Sequence, residues 1–160
     1  MKAFEKRAIQ KLEDLKDYFE ILSNSKIDTT FKNQAIVMAS ELFSTKENTI
    51  TINLDESKES TPQKASSFFN SLQNGNLAML SFQIHDIYMI KNIKHLNENE
   101  YKGAIKFMLS VTSNNKEIQI PPKIVEMQCD IIAKKVRKQF GKESKQVWEV
   151  FLGNIFEIQN

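Results

Sequence analysis

The 160-residue chain has one cysteine, Cys129, so it forms no internal disulfide and no cysteine-rich zinc site. Histidine is nearly as scarce. His85 and His95 are the two present, and ten residues of extended strand separate them by roughly 33 Å, too far to share a metal unless the strand folds back. No metal and no cofactor is expected. The four glycines, Gly75, Gly103, Gly141 and Gly153, are isolated, so neither a phosphate-binding loop nor a dinucleotide fingerprint can be built from them. No run reaches the roughly 18 apolar residues of a membrane helix. The start, MKAFEKRAIQKLEDL, is charged and amphipathic and has no apolar signal region. A soluble protein is expected, with its compartment open: a cytoplasmic chain and an exported one lacking its signal would read alike. A net charge of +2 falls short of the basic balance of a dedicated nucleic-acid binder. Three prolines, no low-complexity segment and 41% hydrophobic residues exclude disordered and fibrous classes and predict one globular domain over 1–160.

What is present is periodic. Phe4, Ala8, Ile9, Leu12, Leu15, Phe19 and Leu22 recur at three- and four-residue spacing, the stripe of an amphipathic helix over 3–22. A second helix is predicted over about 31–43, with a cap among Asp28, Thr29 and Thr30. The alternation in TITINL then predicts a short strand before the polar loop DESKES. Thr61-Pro62 reads as an N-cap with proline at the first helical position, opening a third helix with Ala65, Phe68, Phe69 and Leu72 on one face and a stop at Asn74-Gly75.

From Leu77 onward the period is that of strands, over 77–95, 100–113, 123–139 and 145–158. Tyr101, Gly103, Ile105, Phe107, Leu109 and Val111 share one face, and Lys102, Lys106, Ser110 and Thr112 the other. Val125, Met127, Cys129, Ile131 and Ala133 are likewise apolar partners in parity, and Ile132 and Val136 then swap it, which predicts a bulge or bend. Turn residues separate the strands: NENE, Asn114-Asn115, Pro121-Pro122 and Gly141.

The stretch AKKVRKQFGKESKQ gathers six basic side chains at the tip of the last hairpin. Alternation sends Lys135 and Arg137 to one face and Lys134 and Lys138 to the other. Phe140 is the sole aromatic among them, so a stacking nucleic-acid groove is not predicted and a lysine-protected hairpin end is. His85-Asp86 invites a dyad reading, but neighbours on a regular strand point to opposite faces, so the pair can act together only across a bulge. Cys129, with Met127 and Ile131 on its face, reads as a buried inert thiol.

The order helix, helix, short strand, helix, four long antiparallel strands is carried by AFEKRAIQKLEDLKDYFEIL, FKNQAIVMASELF leading into TITINL, TPQKASSFFNSL, and YKGAIKFMLSVTS, KIVEMQCDIIAKKV and KQVWEVFLGNIFEI. This pattern resembles the NTF2-like α+β fold over nearly the whole chain. The resemblance implies a strongly curved antiparallel sheet of four long strands plus a short one, wrapped as a cone around the N-terminal helix, and a cavity in that cone. It also implies frequent dimerisation through the outer sheet face. Tyr18, Phe82, Tyr88, Phe107, Met127 and Trp148 are the residues expected to line such a cavity. Tyr18, Asp86, Tyr88 and Asp130 are the only polar candidates for its chemistry, and they do not match the isomerase arrangement of a tyrosine and two aspartates; Asp130 has outward parity. The expected function is a non-catalytic module for a small apolar ligand or a protein partner, as a homodimer through the sheet face. The alternatives are an isomerase or dehydratase using Asp86 or Tyr88 in the cone, or a structural subunit of an envelope or secretion assembly.

Overall fold

The computed structural model describes residues 2–54, 60–75, 77–113 and 121–158. Its elements are α1 (Lys2–Ser23), α2 (Thr29–Ser40), β1 (Thr49–Thr51), β2 (Gln63–Lys64), α3 (Ala65–Asn74), β3 (Leu80–Asn97), β4 (Glu100–Ser113), β5 (Lys123–Phe140) and β6 (Glu143–Glu157). All but the last residue of the loop predicted at 55–60, and the turn predicted at Asn114-Asn115, lie outside the described residues. The fold is α+β: three helices on one six-stranded sheet of order β2-β1-β6-β5-β4-β3. In element order and in the way the sheet wraps α1, it agrees with an NTF2-like cone.

The α1 stripe of Ala8, Leu12, Leu15, Phe19 and Leu22 is buried. This helix packs against both β3 and β6, which two other strands separate in the sheet. It scarcely meets the two strands between them, as a helix lying across the hollow of a curved sheet does. At α2 the predicted cap is Asp28, whose Oδ1 accepts a hydrogen bond from the Phe31 backbone N–H at 2.8 Å and satisfies one of the helix's free donors.

Three local expectations need correction. The sheet is mixed, because the chain leaving α2 runs alongside β6: Leu152 N–H donates to Leu42 O and Ser44 N–H to Leu152 O, both at 2.8 Å. β1 then pairs with β6 in parallel, Ile50 opposite Ile155. Thr61-Pro62 does not open α3. Gln63 and Lys64 pair with β1 instead, the Ala65 N–H donates to Asn48 O at 3.0 Å, and the helix starts at Ala65 without a side-chain cap. Finally, β5 runs through Ile132 and Val136 in register with β6. The bulge there belongs to the partner strand, where Cys129 opposes Ile155 but Ile131 opposes Leu152. One extra β6 residue lets Val150, Leu152 and Ile155 all face the core.

The interior is aromatic. Phe19 stands 6.1 Å from Phe68, 6.1 Å from Phe69 and 6.0 Å from Phe82, centroid to centroid, and Phe68 meets Phe82 edge-on at 5.6 Å. Each such pair adds about 0.5–1.5 kcal/mol beyond the area it buries. Phe82 ties α1, α3 and the sheet together. Phe82→Ala is therefore expected to lower unfolding free energy by about 3–5 kcal/mol, while Phe140→Ala, on the exposed hairpin tip, changes it by less than about 0.5 kcal/mol. Urea denaturation of both variants measures this, and equal midpoints would contradict the packing.

Candidate functional site

The residues expected to line a cone cavity fall in different surroundings. Phe82, Phe107 and Met127 are fully buried in the single core cluster, where other side chains already enclose them. Tyr18 is partly buried against that cluster, and its hydroxyl pKa is raised by desolvation and by the charges of Asp14, Glu41 and Asp17. Trp148 lies elsewhere, with its ring 5.7 Å from Phe4 and 5.1 Å from Tyr101. Tyr18 and Phe4 are fourteen residues apart on α1, roughly 21 Å along the helix axis, so Tyr18 and Trp148 mark opposite ends of the core. Among the described residues no charged or polar side chain is buried, and no group of three or more His, Cys, Asp or Glu could hold a metal ion. Burial and the neighbouring Asp130 push the Cys129 thiol pKa up; neutral and enclosed, it is a poor nucleophile.

Asp86 and Tyr88 stand on the other side of the sheet. Phe82 and Ile84 face the core, and Ile87 and Met89 pack against it, so the inward positions step by two, then three, then two. The three-residue step is a bulge: His85 pairs with Met108, whereas the next pair is Tyr88 with Lys106. Asp86 absorbs the extra residue at φ 54°, a left-handed backbone usually left to glycine and tolerated by aspartate. The bulge keeps Asp86 out of the core and places it beside His85. Asp86 Oδ2 lies 3.0 Å from His85 Nδ1, and His85 Nε2 lies 2.8 Å from Ser110 Oγ.

A carboxylate only accepts, so His85 Nδ1 carries the proton toward Asp86 and, in the neutral ring, Nε2 accepts from the Ser110 hydroxyl. The adjacency that a regular strand forbids to His85 and Asp86 is thus supplied by the bulge, and Ser110 joins them from β4. Sequence reasoning missed Ser110 because the contact requires the β3/β4 register. The bulge itself was legible in the spacing of Phe82, Ile84, Ile87 and Met89.

Further along the same outer face lies a groove of about 730 Å³. Its floor includes Ala104 and Ile132, and Lys91, Lys94 and Lys102 stand around it with Asp130 as the one acid of the lining. β3 shapes it through two further register shifts, between Met89 and Lys91 and between Lys91 and Lys94. Gly103 lets β3 close in, since a Cβ there would sit 2.9 Å from Ile93 Cγ1 and 3.0 Å from the Lys91 carbonyl oxygen. Asp130 lines the groove on the outward parity read from the sequence.

The basic hairpin tip does not form one surface. Lys134 donates to Ser44 O at 2.9 Å and stands over the Phe151 ring. Lys135 covers Trp148, and Lys138 pairs with Glu149. Gly141 turns the chain at φ 63°, as a two-residue hairpin loop requires.

Asp86→Gly is expected to leave stability within about 1 kcal/mol of the parent or to raise it, because glycine takes positive φ freely. Asp86→Val should lower it by about 1–2 kcal/mol. Chemical denaturation separates the two, and equal stabilities would argue against the left-handed bulge.

No family model matches the chain, and no curated protein matches it. Among solved structures it is similar to a crystal structure named "Putative Scytalone Dehydratase" from Novosphingobium aromaticivorans, over 100% of this chain and 93% of that one, at 11% identity and a TM-score of 0.42. At that distance the fold rests on the strand order and register described above.

Proposed function

We propose that this chain is a non-catalytic binding module that works through the outer face of its sheet and holds a small ligand with an apolar body and an anionic group. The carrying observation is the lining of one groove: about 730 Å³ opens on the outer face with three lysines around it, while Phe19, Phe68, Phe69, Phe82, Phe107 and Met127 are buried together in the core on the other side. That volume lies in the range of ordinary ligand sites, roughly 300–1,000 Å³. Ala104 and Ile132 offer apolar contact, and three lysines against one aspartate favour an anion. An isomerase or dehydratase reading through the cone loses its candidates, because Asp86 and Tyr88 are exposed on the outer face.

A second reading, a homodimer through this face, is favoured by Tyr88, Ile90 and Ile124, large apolar side chains exposed on the outer side of β3 and β5. Ile90 also lines the groove, so a dimer would form one wall of the ligand site. Sedimentation velocity of the parent and of Ile124→Glu measures that association.

Dodecanoate is the probe for the groove. Calorimetric titration is expected to show one site, weakened roughly ten- to hundredfold in the double variant Lys94→Glu/Lys102→Glu, since each tenfold is about 1.4 kcal/mol. Binding that the double variant leaves unchanged, or no binding to the parent, would overturn the reading.

A further inference from the structure

The arrangement Ser110–His85–Asp86 has the parts of an activated serine on an exposed surface. Ser110 Oγ is 2.8 Å from His85 Nε2, and His85 Nδ1 is 3.0 Å from Asp86 Oδ2. The three groups come from two strands, β3 and β4, fixed by a continuous ladder that pairs Gln83 with Ser110 and His85 with Met108. His85 and Ser110 are therefore diagonal neighbours on one face, within side-chain reach. The cluster is open to solvent: the Asp86 side chain is 73% exposed and that of His85 40%. Ser110 also lies opposite Ile124 on β5, which is exposed, so an apolar group arriving at Ser110 meets Ile124 on one side and Met108 on the other.

The backbone supports a functional reading over an incidental one. A positive φ at a non-glycine residue is uncommon and clusters at functional positions, and here it brings the carboxylate to the imidazole. Two side chains consecutive in a strand are thereby made partners. Without the bulge, Asp86 would face the core, and His85 would lack the acceptor that fixes its tautomer.

We propose that Ser110 is a covalent acylation site, taking an apolar acyl group from an activated donor such as a thioester or an aryl ester. Ser110 Oγ attacks the donor's carbonyl carbon while its proton passes to His85 Nε2. The thiolate or phenolate leaves as the tetrahedral centre collapses, and takes that proton from His85. The product is acyl-Ser110 and a free thiol or phenol, with no oxidant or further co-reactant required. Ser110 is the nucleophile, His85 the general base, and Asp86 a positioning residue that acts through His85.

The test uses the full chain and p-nitrophenyl acetate, with intact mass and peptide mapping to locate the acetyl group. One equivalent is expected on Ser110, absent in Ser110→Ala and formed roughly a hundredfold more slowly on Ser110 in His85→Gln. Asp86→Gly, which keeps the backbone conformation, should slow it as well and shift the His85 ring ¹⁵N resonances toward a mixture of tautomers. Circular dichroism of each variant confirms folding, and Ser110→Thr, retaining a hydroxyl, is a second variant in which acetylation should survive at reduced rate. Acetyl groups confined to lysines, or a Ser110 rate no faster than that of the exposed Ser66 and Ser67 on α3, would overturn the proposal. So would a Ser110 rate unchanged in His85→Gln.

Discussion

The insertion of the α1 stripe into the curved face of the sheet is the contact on which the other elements depend. The helix that buries Ala8, Leu12, Leu15, Phe19 and Leu22 packs on β3 and β6 while scarcely meeting β4 and β5 between them, an arrangement that goes with a bent sheet. Bending long strands needs extra residues on selected strands. β3 takes several, at His85–Tyr88, Met89–Lys91, Lys91–Lys94 and His95–Asn97, and β6 takes one opposite Cys129–Ile131. Each bulge resets which side chains face the core, so packing inside and display outside are two results of the same backbone adjustment.

That coupling explains where the chemistry lies. Phe19, Phe43, Phe68, Phe69, Phe82 and Phe107 are buried together in the core on the curved side. The bulges in β3 work outward instead. The first lifts Asp86 beside His85, and the next two, with Gly103 permitting close approach, shape the lysine-rimmed groove. As an edge strand, β3 also gains from this irregularity, because a bulged, charged edge is a poor template for pairing with another chain.

Much of the architecture was legible because burial imposes strict periods. The α1 stripe, the Asp28 cap and the four long strands follow from apolar spacing and turn residues alone. Thr61-Pro62 misled because its local capping chemistry was outweighed by pairing of Gln63 and Lys64 with β1, a contact some fourteen residues distant. Cavity lining is a different matter. Apolar parity marks Phe82, Phe107 and Met127 as inward, but it does not distinguish a side chain that lines a hollow from one that fills it. Ser110 was illegible without register, whereas the bulge at Asp86 was present in the two-three-two spacing from Phe82 to Met89 and was passed over in favour of a regular strand.

The claim that the curved side of the sheet is filled is tested most directly by xenon. Dry apolar cavities of sufficient size take up the gas, and methyl resonances nearby report it. Met127 lies within the core and Met108 on the outer face, on neighbouring strands. The Met127 methyl resonance is expected not to shift with xenon pressure beyond the small linear drift of a half-buried surface methyl such as that of Met108. A saturable shift at Met127, shared by Leu109 and Leu15, would reveal a cavity beneath α1 and return the search for a ligand site to the cone.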